Sequence, residues 1–217
     1  MPVSQWVLMS SFLPFDPKDH LTTSRTRRNL PHWEQSGCTQ FVTFRLGDSI
    51  PASKLADWHA ERDEWMEGHE EPWSPEEWRE YQERFLDRIE RWSDRGYGAC
   101  WLRNPSLRKI LTDALAHFDQ DRYELDTFVV MPNHVHMLVK PNHPWRLGQL
   151  LHSWKSFSAN QINRIQGRKG TLWMDERFDH LVRSVEQLER FRKYIAENPM
   201  AAGLEPCEYS LWSRGES

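Results

Sequence analysis

Two histidines, His134 and His136, lie two residues apart in the segment MPNHVHMLV. On a β-strand, side chains alternate between the two faces, so both imidazoles would point to one face and Val135 to the packed opposite face. Two imidazoles on one face could bind a single divalent cation. Paired histidines also occur by chance on protein surfaces, so the spacing alone leaves metal binding and an ordinary exposed pair open.

A second pair, Tyr194 and Asn198, is separated by four residues near the end of the chain. In a helix this spacing makes the two side chains neighbours on one face. A phenolic hydroxyl and an amide oxygen could then contact the same ligand. The alternative is a core tyrosine followed by a polar residue that ends the helix.

The hydrophobic pattern predicts the elements that position these residues. Residues 123–131 become continuously apolar from Phe128 to Met131, which is typical of a strand covered on both faces. Pro132-Asn133 then predicts a turn into a neighbouring antiparallel strand over 134–140. A first strand is predicted over 38–46. Helices are predicted over 104–118, over 147–165, and from a capping box at Ser184 and Gln187 to a stop at Asn198-Pro199.

Residues 51–100 form a strongly acidic segment with 14 Asp and Glu against 7 Lys and Arg. Aromatic and aliphatic residues recur there at helical spacing, first from Leu55 to Trp65 and again from Trp78 to Trp92. This pattern predicts a helical hairpin inserted into another fold. Its acidic exterior could be a solvated surface or a surface that binds a partner.

The remaining charge is distributed differently. The formal net charge is -4, yet residues 140–195 carry 11 Lys and Arg against 5 Asp and Glu, interspersed with aromatic residues. Cations and flat rings together are typical of surfaces that bind single-stranded nucleic acid, although core aromatics with solvated charges give the same composition. The polar first 30 residues end in a basic cluster of Arg25, Arg27 and Arg28.

A chain of 217 residues suffices for one substantial domain with an elaboration. No apolar run approaches the roughly 18–20 residues needed to cross a bilayer, and the N-terminus lacks the basic region of a signal peptide, so we expect a cytoplasmic protein. The three cysteines are widely separated, which favours reduced thiols over disulfides or a zinc site. The sequence offers no evident fourth ligand for a closed zinc site.

Three ordered motifs resemble those of a known family: FVVMPNHVHMLVKP, LWMDERFDHLVRS and YIAENPMAAGL. They are similar to the single-tyrosine HUH transposases and, more closely, to the REP-associated tyrosine transposases. The segment RRNLPHWEQSGCTQFVTFRL also resembles the start of one branch of that family. The resemblance extends from about Arg27 to Leu204, with the acidic segment as a branch-specific insertion.

The resemblance implies an α+β fold with a ferredoxin-like central antiparallel sheet, packed helices and the inserted acidic helical hairpin. The histidine strand would lie in the middle of the sheet, and the tyrosine helix would close over it. We therefore expect a basic N-terminal arm over 1–30, one catalytic domain over 31–206 with the insertion at about 51–100, and a C-terminal tail over 207–217.

The resemblance further implies a metal-dependent endonuclease and strand transferase acting on single-stranded DNA through a covalent 5′-phosphotyrosine. The two HUH histidines fall on His134 and His136, the nucleophile on Tyr194, and the amide that completes the metal site on Asn198. Because the implied donors are nitrogen and oxygen atoms, the cation is expected to be Mg²⁺ or Mn²⁺.

The implied substrate is a palindromic REP-type hairpin, bound by a monomer or a homodimer. Candidate DNA contacts are the basic arm, Trp154 and Lys155; His180 and Arg183 belong to a motif for which structural support and DNA contact are equally open. Two alternatives remain: a protein that binds REP hairpins without cleaving them, and a metal-dependent hydrolase that uses activated water.

Overall fold

The computed structural model describes residues 23–27, 31–35, 37–69 and 74–215. Within these ranges the chain forms strands and helices that alternate along its second half. The strands are β1 (Thr23–Arg27), β2 (Pro31–Gln35), β3 (Gln40–Leu46), β4 (Tyr123–Val130), β5 (His134–Pro141), β6 (Trp173–Leu181) and β7 (Ser210–Ser213). The helices are α1 (Ala52–Gly68), α2 (Pro75–Tyr81), α3 (Asp87–Asp94), α4 (Pro105–Ala116), α5 (Leu147–Ile165) and α6 (Val185–Ala201), with a π-helical segment (Gln82–Leu86) between α2 and α3.

Five strands form an antiparallel sheet in the order β6-β3-β5-β4-β7. The sequence β3-α4-β4-β5-α5-β6 is a β-α-β-β-α-β arrangement, which confirms the predicted ferredoxin-like sheet. Strand β5 is the central strand of the five, as expected for the strand that carries the histidines. The predicted pairing of β4 with β5 through the Pro132-Asn133 turn is also confirmed.

The two faces of the sheet pack against different helices. On one face, Val135, Met137 and Val139 of β5 join a buried cluster with α4 and α5. On the other face, Leu138 packs with Leu188 and Ile195 of α6. Since residues 134, 136 and 138 share a face, this alternation directs both histidines toward α6 and Val135 away from it, as predicted.

The acidic insertion folds as the predicted pair of helical segments, α1 followed by α2 and α3. It has a hydrophobic cluster of its own, built around buried Trp58, Trp65 and Phe85. Met174 and Phe178 of β6 pack against that cluster, so the insertion is seated on the edge strand of the sheet.

Helix α6 begins as predicted, with the Ser184 hydroxyl accepting a hydrogen bond from the backbone N–H of Gln187. The predicted stop at Asn198-Pro199 is wrong, because the helix continues through Pro199 to Ala201. Gly203, two residues beyond the helix end, has a positive φ of 67°. Its N–H bonds the carbonyl oxygen of Met200, and the N–H of Leu204 bonds the carbonyl oxygen of Pro199. This is a Schellman C-cap, for which glycine is the preferred residue.

Two predicted terminal segments differ from expectation. The expected tail over 207–217 contains β7, which pairs with β4 at the edge of the sheet. The expected arm over 1–30 contains β1, which forms a two-stranded antiparallel ribbon with β2. Neither strand was predicted, because its own hydrophobic pattern does not indicate a strand. Strand β7 forms by pairing with β4, and β1 forms by pairing with β2. In the part of the chain that is described, no helix has the length and apolar character needed to span a bilayer.

Candidate active site

His134 and His136 lie side by side in the centre of the sheet and are almost completely buried. Their Nε2 atoms are 3.0 Å apart. The Nδ1 atom of each ring has its own partner, Asn133 Oδ1 at 2.7 Å for His134 and the Thr43 hydroxyl at 2.8 Å for His136. The hydrogen bonds at Nδ1 therefore fix the orientation of both rings, and the two Nε2 atoms face the same point.

The hydrogen bonds of Asn133 determine which nitrogen of His134 carries the proton. The Asn133 amide nitrogen donates to the backbone carbonyls of Ser93 and Tyr97, so its Oδ1 must accept from the Nδ1–H of His134. The Nε2 of His134 then carries a lone pair. The Thr43 hydroxyl can donate or accept, so His136 can also hold its proton on Nδ1 and present an Nε2 lone pair.

Burial lowers the pKa of both histidines well below the usual value, and the positive charge of Arg45 acts in the same direction. Both rings are consequently neutral near pH 7. Neutral imidazole is the form that binds metal ions.

Tyr194 lies on α6 directly beside this pair. Its ring centroid is 5.2 Å from that of His136, and its hydroxyl donates to Glu90 Oε2 over 3.5 Å. Burial raises the pKa of Tyr194 well above its ordinary value, and the carboxylates of Glu90 and Asp94 raise it further. The structure thus brings together the histidines and the tyrosine that the sequence identified, and holds the phenol in its protonated form.

Asn198 follows one turn later on the same helix and is only 4% exposed. Its Oδ1 is buried without a hydrogen-bond partner among the described residues. A buried amide oxygen without a donor is uncommon and costly, and a bound cation would satisfy it. This observation fits the expected role of Asn198 as a metal ligand.

Two acidic residues at this site, Glu90 and Asp94, were not predicted from the sequence; α3 of the insertion supplies them. Asp94, His134 and His136 offer one ligand atom each, and these atoms all lie within 4.8 Å of one another. Burial raises the pKa of Asp94 to about 7, the charge of Glu90 acts in the same direction, and Arg45 opposes both. The i, i+4 spacing of Glu90 and Asp94 was the available signal, but an acidic helix face is usually solvated.

A cavity of about 540 Å³ lies between the insertion and α6, with Tyr194 in its wall. Glu90 and Asp94 line one side, and Arg190 and Phe191 line the other. The cavity therefore gives the tyrosine hydroxyl a space large enough for part of a nucleic-acid chain.

Of the two α5 residues expected to contact DNA, Trp154 is not available for that role, and the contact by Lys155 stays a prediction. Trp154 is 2% exposed and its indole N–H donates to the hydroxyl of Tyr123 inside the core, so neither face of the ring can stack on a base. Lys155 is half-buried and donates to the carbonyl of Met174, and burial lowers its pKa to about 8. The expectation for Trp154 is wrong because this residue lies on the buried face of α5, which packs in the core beneath the sheet.

The residues at the junction between β6 and α6 form a local network. The Gln187 amide nitrogen donates to His180 Nε2 at 2.7 Å, and its oxygen accepts from the backbone N–H of Arg183. Burial lowers the pKa of His180 to about 4, so the ring is neutral at physiological pH. His180 lines the cavity near Tyr194, and its hydrogen bond supports the start of the tyrosine helix.

The basic arm remains a prediction. Arg25 and Arg27 lie on β1, and Arg28 lies outside the described residues.

Part of the chain matches a known protein family. Residues 101–198, a little under half of the chain, match the family described as "Transposase IS200 like". The matched range includes His134, His136, Tyr194 and Asn198, and it excludes the acidic insertion. No curated protein matches the chain.

Two solved structures are similar to the chain at low sequence identity. One is described as the structure of the REP-associated tyrosine transposase bound to a REP hairpin; it is 17% identical, with a TM-score of 0.47, and the match covers 89% of this chain and 93% of that chain. The other is a putative transposase from Deinococcus radiodurans R1; it is 15% identical, with a TM-score of 0.34, and the match covers 74% of this chain and 89% of that chain.

Proposed function

We propose that this protein nicks and rejoins single-stranded DNA through Tyr194, and the match of residues 101–198 to the family described as "Transposase IS200 like" supports the proposal. The observation that carries the proposal is the position of the tyrosine ring, 5.2 Å from His136, at the wall of a cavity next to two neutral histidines. A hydrolase that uses activated water would not need a tyrosine at this place.

In the proposed reaction, the phenolic oxygen of Tyr194 attacks the phosphorus of a phosphodiester. A bond forms between that oxygen and phosphorus, and the bond from phosphorus to the 3′-oxygen breaks. The products are a 5′-phosphotyrosine and a free 3′-hydroxyl. Because the phosphotyrosine is itself an activated ester, a 3′-hydroxyl can attack it and rejoin the strands without ATP.

The chain's own residues support the proton transfers of this step. The Tyr194 hydroxyl already donates to Glu90, whose carboxylate can accept the phenolic proton. The raised pKa of Tyr194 means that the phenolate needs a compensating positive charge. Among nearby basic residues, His180 is neutral and Lys193 is exposed and 3.8 Å from Glu197, so neither is well suited to supply that charge, whereas Arg190 lines the same cavity as Tyr194.

His134, His136 and Asn198 are the proposed ligands of a divalent cation. When bound, the cation would supply positive charge that stabilises the phenolate and polarises the scissile phosphate. The neutral imidazoles and the unpartnered amide oxygen fit Mg²⁺ or Mn²⁺; Mg²⁺ is favoured by cellular abundance and Mn²⁺ by its affinity for imidazole.

The proposed substrate is a REP-type hairpin with a short single-stranded segment beside it. The motif resemblance supports this choice. The candidate contacts that remain are the arginines at 25, 27 and 28, Lys155, His180 and Arg183. Replacing Arg28 should weaken hairpin binding and reduce its salt dependence, which a binding titration at several salt concentrations would measure.

The test is to incubate the protein with single-stranded REP-like hairpin DNA and Mn²⁺ or Mg²⁺, and to look for an adduct that survives denaturation. Tyr194→Phe should abolish the adduct and keep hairpin binding, because only the hydroxyl is lost. Chelator should also abolish it. Tyr209→Phe is the matched control, since Tyr209 packs in the same hydrophobic cluster as Tyr194.

Each other outcome has a definite meaning. An adduct that persists in Tyr194→Phe would contradict the assigned nucleophile. Tight hairpin binding without any adduct would favour the alternative, a protein that binds REP hairpins without cleaving them. Cleavage without an adduct would favour the hydrolase.

A further inference from the structure

Helix α3 of the acidic insertion brings a carboxylate to the histidine pair. Asp94 Oδ1 lies 3.5 Å from His134 Nε2. That oxygen is buried and has no hydrogen-bond partner among the described residues. When Asp94 is ionised, its oxygen and the Nε2 lone pair of His134, which holds its proton on Nδ1, face each other with no proton between them. A cation bound by both atoms would compensate this unfavourable arrangement.

The position of Asp94 is determined by a buried set of hydrogen bonds around the end of α3. Asn133, which orients His134, also donates to the carbonyls of Ser93 and Tyr97 at 3.1 Å each, on either side of Asp94. Arg45 donates to the Ser93 hydroxyl at 2.7 Å and pairs with Glu90. The side chains of Arg45, Ser93 and Asn133 are all at least nine-tenths buried. Asn133 therefore orients His134 and also anchors α3, the helix that carries Asp94.

A second buried oxygen points to the same conclusion. Asn198 Oδ1, on a helix from the other side of the site, also lacks a partner among the described residues. The side chains of Asn198 and Asp94 are close enough to interact. Two imidazole nitrogens, one amide oxygen and one carboxylate oxygen would then surround one point, with further positions open to phosphate and water.

Glu90 differs from Asp94 although both belong to the same helix. One of its oxygens pairs with Arg45 and the other accepts from the Tyr194 hydroxyl. Its charge is thus already compensated by a buried guanidinium. For the buried Oδ1 of Asp94, by contrast, no guanidinium or ammonium partner is present among the described residues.

We propose that Asp94 is a carboxylate ligand of the divalent cation, so that the acidic insertion is a structural part of the metal site. The inference rests on the proposed function, which requires a cation at the histidines. It extends that function by assigning a ligand from a segment outside the matched family region. A single negative charge also adapts the site to a hard divalent ion, because carboxylate is a preferred donor for Mg²⁺ and Mn²⁺.

The test measures Mn²⁺ affinity by titration calorimetry, without DNA, in the full-length protein and its variants. Asp94→Asn should weaken Mn²⁺ binding at least about 10-fold, since loss of even an outer-shell partner commonly costs about 10–100-fold in metal affinity. Asp87→Asn is the matched control, because Asp87 lies two turns earlier on α3 and lines the same cavity. It should bind Mn²⁺ like the unmodified protein. His136→Ala should bind Mn²⁺ far more weakly than either.

A second measurement guards against misfolding. Thermal unfolding of metal-free Asp94→Asn should match the unmodified protein within a few degrees, while the rise in Tm on adding Mn²⁺ should be smaller in the variant. If Asp94→Asn binds Mn²⁺ normally and His136→Ala does not, the inference is wrong and the proposed metal site stands. If the unmodified protein itself binds no Mn²⁺ or Mg²⁺, the metal requirement of the proposed function fails together with the inference.

Discussion

The behaviour of His134 and His136 depends on residues that do not themselves face the cavity. Thr43 of β3 lies directly opposite His136 in the sheet and bonds its Nδ1, while Asn133 at the preceding turn bonds His134. Such outer partners fix the tautomer and ring orientation of metal-binding histidines. The sheet therefore prepares both Nε2 atoms before any ligand arrives.

Replacing Thr43 with Val should weaken Mn²⁺ binding about 10–100-fold, because the shape is kept and only the hydroxyl that orients His136 is lost. Titration calorimetry would measure the change. Thr127→Val is the matched control: Thr127 is also a buried threonine of the sheet, but its hydroxyl bonds β7, away from the histidines. Equal effects of the two substitutions would show that the loss is general rather than specific to His136.

Tyr194 illustrates how a neighbouring element changes the chemistry of a residue. Its resemblance to the family nucleophile rests on its own position in the chain, but its raised pKa comes from burial and from two carboxylates of the insertion. The insertion therefore disfavours the phenolate until a positive charge enters the site. No part of this balance is visible in the sequence around Tyr194.

Among the helices, α6 places Tyr194 and Asn198, so the start of this helix matters for the site. Its first turn is held by the Ser184 cap and by the contact of Gln187 with His180 and with the backbone of Arg183. The cap is local in sequence and was predictable; the bond to His180 depends on how β6 approaches the helix.

Ser184→Ala should reduce the free energy of unfolding by about 1 kcal/mol, because the N–H of Gln187 loses its acceptor. For a chain of this size the expected fall in Tm is about 2–4 °C. Thermal denaturation would measure it, with Ser156→Ala at an exposed position on α5 as the control. A fall of the same size in the control would argue against a specific role for the cap.

The helical segments α2 and α3 are joined by π-helical residues 82–86 rather than by a continuous α-helix. A π-helical turn contains an additional residue, so it changes which side chains face a neighbouring element. The spacing from Trp78 to Trp92 predicted a helix with one buried face and a solvated acidic face. In the structure Glu90 and Asp94 lie on the side that meets Tyr194, His134 and His136.

The described residues form three hydrophobic clusters: one in the insertion, one between the sheet and α6, and one on the far face of the sheet. The insertion packs around Trp58 and Phe85, whereas α4 and α5 pack on the far face of the sheet around residues such as Leu111. Only the first cluster supports the helix that carries Glu90 and Asp94. Stability and metal binding should therefore be separable.

Phe85→Ala and Leu111→Ala should both destabilise the protein, by about 3–5 and about 2–5 kcal/mol respectively, because both side chains are fully buried. Only Phe85→Ala should also weaken Mn²⁺ binding, since it loosens the segment that supports α3. Denaturant unfolding and calorimetry under conditions where both variants remain folded would separate the two effects. Equal Mn²⁺ affinities would show that the metal site does not depend on the insertion.

Local information in the chain was sufficient for much of the fold and for the principal site residues. Hydrophobic periodicity predicted the central strands and the long helices, since burial imposes a period of two on strands and 3.6 on helices. The HxH pair and the Tyr194–Asn198 pair were predictable because each is set by the repeat of a single element. The ferredoxin-like order of the strands came from the resemblance of three motifs.

Tertiary packing decided what no single segment contains. Glu90 and Asp94 meet His134 and His136 across about 40 residues of sequence, and Trp154 turns into the core because α5 lies against the sheet. Strand β7 exists because β4 offers it an edge to pair with. A charged or aromatic side chain has the same local pattern whether it faces water or another element, so only the folded chain distinguishes an acidic surface from an acidic wall of the active site.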